Sequence, residues 1–191
     1  MSTYTYTVIL DACVLYPAPL RSYLLYLAQT GLYRARWSNL IHEEWIRNAI
    51  KNNPHLHHEA LARTRVLMDK HAVSPLVFGF EQLINSIDLP DKDDRHVVAA
   101  AIVGQAEGII TFNLKDFPDG SLAEFGLSAI HPDIFLSDMF ELNQSVVVGA
   151  AQRHRRGLRN PAMSTQDYLD CLQRQKLPRF VSKLSEFASL L

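Results

Sequence analysis

The sequence predicts an α/β fold with a mainly parallel β-sheet, followed by a helical C-terminal extension. Short apolar runs alternate with amphipathic stretches in the first part of the chain, which is typical of parallel strands joined by helices. A length of 191 residues, 48% of them hydrophobic and 20% charged, suits a protein with a continuous core. We therefore predict a main domain over residues 1–136 and an extension with a basic segment over residues 137–191.

Five apolar runs are predicted as strands. Residues 8–10 are apolar and are followed by Asp11, as expected for a buried strand with an acid at its carboxyl end. The other predicted strands cover residues 33–37, 74–78, 109–112 and 127–130.

Start and stop signals between these runs predict helices. Ser38 is suited to cap a helix over residues 39–50, and Asp91 to cap a helix over residues 92–106 that Gly108 ends. The remaining helices are predicted over residues 17–31, over residues 55–71, from residue 133 into the 140s, over residues 165–175 and after residue 178.

The net charge of −1 is an average over two unlike parts of the chain. Residues 1–150 contain 11 Lys and Arg against 17 Asp and Glu, whereas residues 151–191 contain 8 against 3. Near-neutrality therefore does not exclude a nucleic-acid partner. The distribution fits an acidic domain that attracts a cation and a basic segment that binds a nucleic acid or neutralises the domain's own surface.

Several protein classes are excluded by what the sequence lacks. Cys13 and Cys171 are too few and too far apart for a zinc site or a disulfide framework, and Cys13 is interpreted as a small buried residue. The absence of a G-x-G-x-x-G motif and of a P-loop excludes a nucleotide cofactor. Residues 1–6 do not resemble a signal peptide, and no apolar run approaches the roughly 20 residues that span a bilayer. We expect a cytoplasmic protein with no membrane partner.

Acidic residues are expected to gather at the carboxyl edge of the predicted sheet, where such sheets bind ligands. Asp11 ends the first strand, and a lone carboxylate at the end of a buried strand is costly unless it is paired. Asp116 follows the strand over residues 109–112, and Asp94 lies in the first turn of the helix over residues 92–106.

The helix over residues 39–50 contributes a fourth acid. Glu44 projects at the margin of the apolar face, whereas Glu43 projects beside Ile50. Glu44 is therefore the better candidate for an inward-leaning side chain. Each acid also has a structural alternative, namely helix capping, a turn position or a solvated helix face.

Such a set of carboxylates predicts a divalent cation. Like charges raise one another's pKa, and a bound cation removes that cost. Mg²⁺ prefers oxygen ligands and is commonly held by one or two carboxylates together with substrate phosphates. The acids therefore predict metal-assisted phosphodiester hydrolysis, in which the metal lowers the pKa of the attacking water and neutralises charge on the phosphate.

Four segments that contain these acids resemble the PIN-domain nucleases, and among them the VapC-type toxins of type II toxin–antitoxin pairs. The likeness extends over residues 7–136, and the region after residue 150 resembles the C-terminal extension of a VapC-like subgroup. The resemblance implies a PIN-like central sheet flanked by helices and an endoribonuclease for single-stranded RNA that requires Mg²⁺ or Mn²⁺ and is silenced by an antitoxin. The four segments are residues 8–17, 37–45, 89–101 and 110–118.

The resemblance also implies a role for each acid. Asp11 and Asp94 would be the main metal ligands, and Glu44 would orient or activate the water, directly or through a second metal. Asp116 would complete the acidic pocket, in place of an acid that the family sometimes has at the position of Asn113. A second tier of candidates consists of Asp91, Asp93, Thr111 and Asn113.

The basic segment is a candidate RNA-binding surface. Its four arginines could contact phosphates near the acidic pocket, or they could pair with acids of the main domain or remain solvated. The C-terminal helices are open to three roles: docking on the main domain, contributing to a homodimer, or forming part of the antitoxin site. The four arginines are Arg153, Arg155, Arg156 and Arg159.

Two other functions are compatible with the same residues. The first is a housekeeping nuclease for RNA processing. The second is an inactive PIN scaffold that binds RNA or a protein, which is disfavoured because none of the four matched acids is replaced by a neutral residue.

Overall fold

A four-stranded parallel sheet forms the centre of the computed structural model, which describes residues 5–159 and 161–191. The strand order is β2-β1-β3-β4, and Val8 in β1 lies opposite Ala35 on one side and Gly108 on the other. Because the strands are all parallel, their carboxyl ends lie at one edge of the sheet. The strands are β1 (Thr7–Leu10), β2 (Arg34–Arg36), β3 (Gly108–Ile110) and β4 (Ser128–Ile130).

Helices connect the strands and continue beyond the sheet, which confirms the predicted α/β class. The expectation about a leader segment falls mostly on residues 1–4, which lie outside the described residues. Four short 3-10 turns cover Glu81–Ser86, Lys92–Asp94, Leu114–Asp116 and Ala188–Leu190. The helices are α1 (Ala12–Leu15), α2 (Ala18–Ala28), α3 (Asn39–Asn52), α4 (His58–His71), α5 (Arg95–Val103), α6 (Asp119–Ala123), α7 (Pro132–Leu142), α8 (Gln144–Gly157), α9 (Thr165–Gln173) and α10 (Pro178–Ser185).

Ser38 caps α3 as predicted, since its hydroxyl accepts a hydrogen bond from the Ile41 N–H at 3.2 Å. The end predicted for α5 is wrong, because this helix stops at Val103. Gly108 instead begins β3, where a Cβ atom would lie 2.9 Å from the Tyr6 hydroxyl oxygen. The glycine therefore serves close packing within the sheet and not helix termination.

The strand predicted over residues 74–78 is wrong. This segment touches the sheet through a single bridge between Trp37 and Leu76. Ser74 and Gly79 both adopt positive φ angles, 47° and 76°. The chain therefore turns away at both ends of the segment, and the ladder cannot extend beyond one bridge.

The C-terminal helices pack on the main domain of the same chain. α8 and α9 pack against α2, and α10 packs against α7. The buried Asp133 carboxylate of α7 accepts hydrogen bonds from the Arg179 N–H at 3.1 Å and the Phe180 N–H at 2.9 Å. It thereby satisfies N–H groups that the first turn of α10 would otherwise leave without partners. The domain boundary after residue 136 falls within α7 and stays a prediction.

Along the described ranges, every helix is too short or too polar to cross a lipid bilayer.

Replacing Asp133 with Ala should lower the free energy of unfolding by roughly 2–3 kcal/mol, because two N–H groups in the first turn of α10, one of them buried, lose a charged acceptor. Urea denaturation measures this loss. Asp138→Ala removes an exposed acid from the same helix and should change stability by less than about 0.5 kcal/mol. Equal stability of the two variants would contradict the bridging role of Asp133.

Candidate active site

Asp11 lies at the carboxyl end of β1 and is only 2% exposed. Its Oδ1 atom accepts a hydrogen bond from the Ala12 N–H at 2.6 Å, and its Oδ2 atom accepts one from the Thr111 hydroxyl at 2.7 Å. Burial raises the pKa of Asp11, while the hydrogen bonds from Cys13 and Thr111 counteract that rise. The site thus supplies donors that hold a buried carboxylate in one orientation.

Cys13 lies inside the site, which the sequence interpretation as a small buried residue did not anticipate. Its Sγ atom donates to Asp11 Oδ2 at 3.0 Å, lies 3.3 Å from the Thr111 hydroxyl oxygen and accepts from the Phe112 N–H at 3.2 Å. Burial raises the pKa of the thiol, so the sulfur stays protonated and can donate to the carboxylate. The available sequence signal is its position two residues after Asp11, within the short helix α1 that follows the first strand.

Asp94 is the half-buried residue at which the acids converge. Burial raises its pKa, and the negative charges of Asp11, Asp91, Glu44 and Asp116 raise it further, to about 7. Asp11, Glu44 and Asp116 therefore each lie close enough to Asp94 to repel its negative charge. The structure therefore brings them together at the carboxyl edge of the sheet.

Glu44 leans inward, with 26% of its side chain exposed, whereas Glu43 is exposed. Its Oε2 atom lies 3.3 Å from His96 Nε2, which joins α3 to α5. His96 is a second site residue that the sequence analysis missed. Its position in the first turn of α5, two residues after Asp94, is the only sequence feature that indicates a place in the site.

The second-tier candidates differ in their contacts. Buried Thr111 binds Asp11 directly, and its hydroxyl also accepts from the Asn113 N–H at 3.0 Å. Asp91 couples to Asp94 and accepts from the Asp93 N–H at 2.9 Å, which confirms its capping role ahead of α5. The side chains of Asp93 and Asn113 are exposed.

The four arginines of the basic segment are not equivalent. Arg155 donates to the Met163 carbonyl at 2.6 Å and to the Leu191 carbonyl at 3.0 Å, so it fastens the C-terminus to α8. Arg153, Arg156 and Arg159 are exposed, and within the described ranges none of the four forms an ion pair with an acid. These three remain available to an anionic partner.

The donor set suits a hard cation, although the described residues hold no group of three or more His, Cys, Asp or Glu side chains placed to bind a metal ion. Mg²⁺ does not require such a cage, because it commonly keeps several waters and uses one or two carboxylates with substrate phosphates. Asp11 and Asp94 provide two carboxylates that repel each other. Their chemistry therefore fits a divalent cation.

The four-stranded parallel sheet flanked by helices confirms the PIN-like fold class. Residues 132–186 match the family described as VapC50 C-terminal domain. The chain is also 37% identical over 110 residues to the Mycobacterium tuberculosis protein named "Putative ribonuclease VapC50", which covers 56% of this chain and 62% of that relative. The chain thus spans less than two thirds of this relative's length.

No solved structure matches the chain. The two sequence comparisons confirm its resemblance to VapC-type PIN proteins.

Replacing Asp94 with Asn should stabilise the metal-free protein above about pH 7. A raised pKa means that the folded state holds its proton more tightly than the unfolded chain, so stability is lost as the pH rises from about 4 to about 7. Asn stays neutral and avoids this loss. Thermal unfolding in a chelator should therefore show a gain in Tm for Asp94→Asn at about pH 8 that shrinks at about pH 5.

Asp93→Asn is the matched control, since it neutralises the exposed neighbouring acid. A gain for Asp94→Asn that is no larger than that of the control, or that does not depend on pH, would show that Asp94 is not under electrostatic strain.

Proposed function

We propose that this protein is a metal-dependent endoribonuclease that hydrolyses RNA phosphodiester bonds and is the toxin of a toxin–antitoxin pair. The observation that carries the proposal is the convergence of Asp11, Glu44 and Asp116 on Asp94. Mutually repelling carboxylates are unfavourable in a purely structural role, and they suit a site that binds a cation and a phosphate. The name of the relative, a ribonuclease, supports the same substrate class.

Asp11 and Asp94 would hold Mg²⁺, or Mn²⁺ in its place. When bound, the cation supplies a water of lowered pKa and neutralises charge that develops on the phosphate. Thr111 and Cys13 fix the orientation of Asp11 through its Oδ2 atom. These two donors keep the carboxylate ready for the cation without a change of rotamer.

Glu44 would orient the attacking water and accept its proton. His96 Nε2, 3.3 Å from Glu44 Oε2, holds that side chain at the entrance of α5 beside Asp94. Asp116, from the turn after β3, would complete the acidic pocket. The general base and the metal-binding acids thus come from different elements that meet only in the folded chain.

The proposed partners are single-stranded RNA, as the substrate, and a cognate antitoxin protein that silences the enzyme. Both would meet this protein in the cytoplasm.

Asp11→Asn should reduce RNA cleavage by about 100-fold or more, because a metal contributes several kcal/mol to such reactions and each 1.4 kcal/mol is about a factor of ten. Cleavage of a labelled single-stranded RNA with Mg²⁺ present measures the loss. A chelator should abolish the activity of the wild type, and Mn²⁺ should restore it.

Asp119→Asn is the control, because Asp119 is an exposed acid three residues after Asp116. Equal cleavage by wild type, Asp11→Asn and Asp119→Asn would refute the nuclease assignment and favour an inactive scaffold.

The toxin role predicts growth arrest. Expression of the wild-type chain in a bacterial host should stop growth, and expression of Asp11→Asn should not, because the arrest depends on cleavage. The toxin role also predicts a small gene directly upstream, whose product should restore growth on co-expression. Unimpeded growth with active wild-type enzyme would instead favour a housekeeping role in RNA processing.

A further inference from the structure

Lys176, in the turn between α9 and α10, contacts Phe112, a residue that follows β3 at the carboxyl edge of the sheet. Lys176 Nζ lies 5.7 Å from the centroid of the Phe112 ring, within the range of about 6 Å over which a cation is attracted to an aromatic ring. Phe112 follows Thr111, and its N–H donates to Cys13 Sγ at 3.2 Å. A cation from the C-terminal extension therefore contacts the residue that follows Thr111, and Thr111 binds Asp11.

His131 completes this arrangement from the position directly after β4, the strand that pairs with β3. Its ring centroid lies 5.2 Å from that of Phe112, at an interplanar angle of 71°. His131 Nδ1 accepts a hydrogen bond from the Asp133 N–H at 3.1 Å, so the neutral ring carries its hydrogen on Nε2. Burial lowers the pKa of His131, the negative charge of Asp133 opposes this shift, and the positive charge of Lys176 adds to it.

The backbone holds the Lys176 side chain in this place. Lys176 has a φ angle of 61°, in the left-handed region, and its N–H donates to the Gln173 carbonyl at 3.0 Å as the last turn of α9 closes. Glycine is the residue that best tolerates this conformation at a helix end. Lysine therefore occupies a position where its backbone is under strain, which is a recurring property of functional residues.

The charge of Lys176 is available to a ligand. The side chain is exposed, and in the described part of the chain it forms no ion pair with an acid. Two further exposed cations, Arg174 and Arg179, lie in the helical hairpin formed by α9, α10 and the turn between them. The rim formed by Lys176, His131 and Phe112 thus offers an ammonium group and an imidazole N–H at the carboxyl edge of the sheet.

We propose that Lys176 and His131, both resting on Phe112, form a phosphate-binding subsite for the RNA backbone next to the carboxylates. The subsite binds a phosphate next to the scissile one and thereby positions the RNA strand across the carboxylates. It gives the C-terminal extension a direct part in substrate binding. This inference rests on the proposed ribonuclease function.

Lys176→Gln should raise the KM for single-stranded RNA about tenfold and leave kcat within about twofold, since a flanking phosphate contact positions the strand without entering the chemistry. Lys176→Arg should restore the wild-type KM. In the Asp11→Asn background, which binds without cleaving, Lys176→Gln should also lower the slope of log affinity against log salt by about 0.7, the value for one phosphate contact on a single strand.

Lys183→Gln is the matched control, because Lys183 lies on the same hairpin but already pairs with Glu141. Cleavage by the wild type together with identical KM and salt slope for Lys176→Gln and Lys183→Gln would overturn the subsite and leave the nuclease assignment intact. A wild type that neither binds nor cleaves RNA would overturn both. A loss of antitoxin binding alone on Lys176→Gln would assign this rim to a protein partner and overturn the RNA subsite.

Discussion

Repulsion among carboxylates at the carboxyl edge of the sheet is the constraint on which the site depends. Asp94 has a pKa of about 7 because it is half-buried beside several other acids. The fold tolerates this repulsion because the central strand β1 is apolar and well packed: Val8, Ile9 and Leu10 are fully buried. The free energy gained by burying the core therefore offsets the electrostatic repulsion at the site. Such compensation is typical of proteins whose function needs an unfavourable local charge.

The buried end of β1 holds the Asp11 carboxylate in one orientation within this group of repelling acids. A carboxylate that is 2% exposed is costly unless donors reach it, and Thr111, Cys13 and the Ala12 N–H supply them. Thr111 comes from the end of β3, the strand paired with β1. The parallel pairing of β1 and β3 therefore places the Thr111 hydroxyl next to the Asp11 carboxylate. Because both residues directly follow strands of the sheet, their relative position is rigid.

The C-terminal extension is held by polar contacts as well as apolar packing. Asp133 binds the first turn of α10, and buried His154 of α8 lies 3.0 Å from the Tyr168 hydroxyl of α9. Burial lowers the pKa of His154 to about 4, so it remains neutral at physiological pH. These contacts fix the hairpin of α9 and α10, whose turn brings Lys176 against Phe112.

The sequence by itself determined the fold class, most element positions, the capping role of Ser38 and the inward leaning of Glu44, because these follow from local periodicity and capping chemistry. Only the tertiary structure decided that Cys13 and His96 join the site, that Arg155 serves the C-terminus and that Lys176 meets Phe112. These contacts join residues from different elements or depend on how a turn is oriented. The distances between these residues depend on the register of the sheet and on how the helices pack. Neither produces a periodic pattern that could be recognised in the sequence.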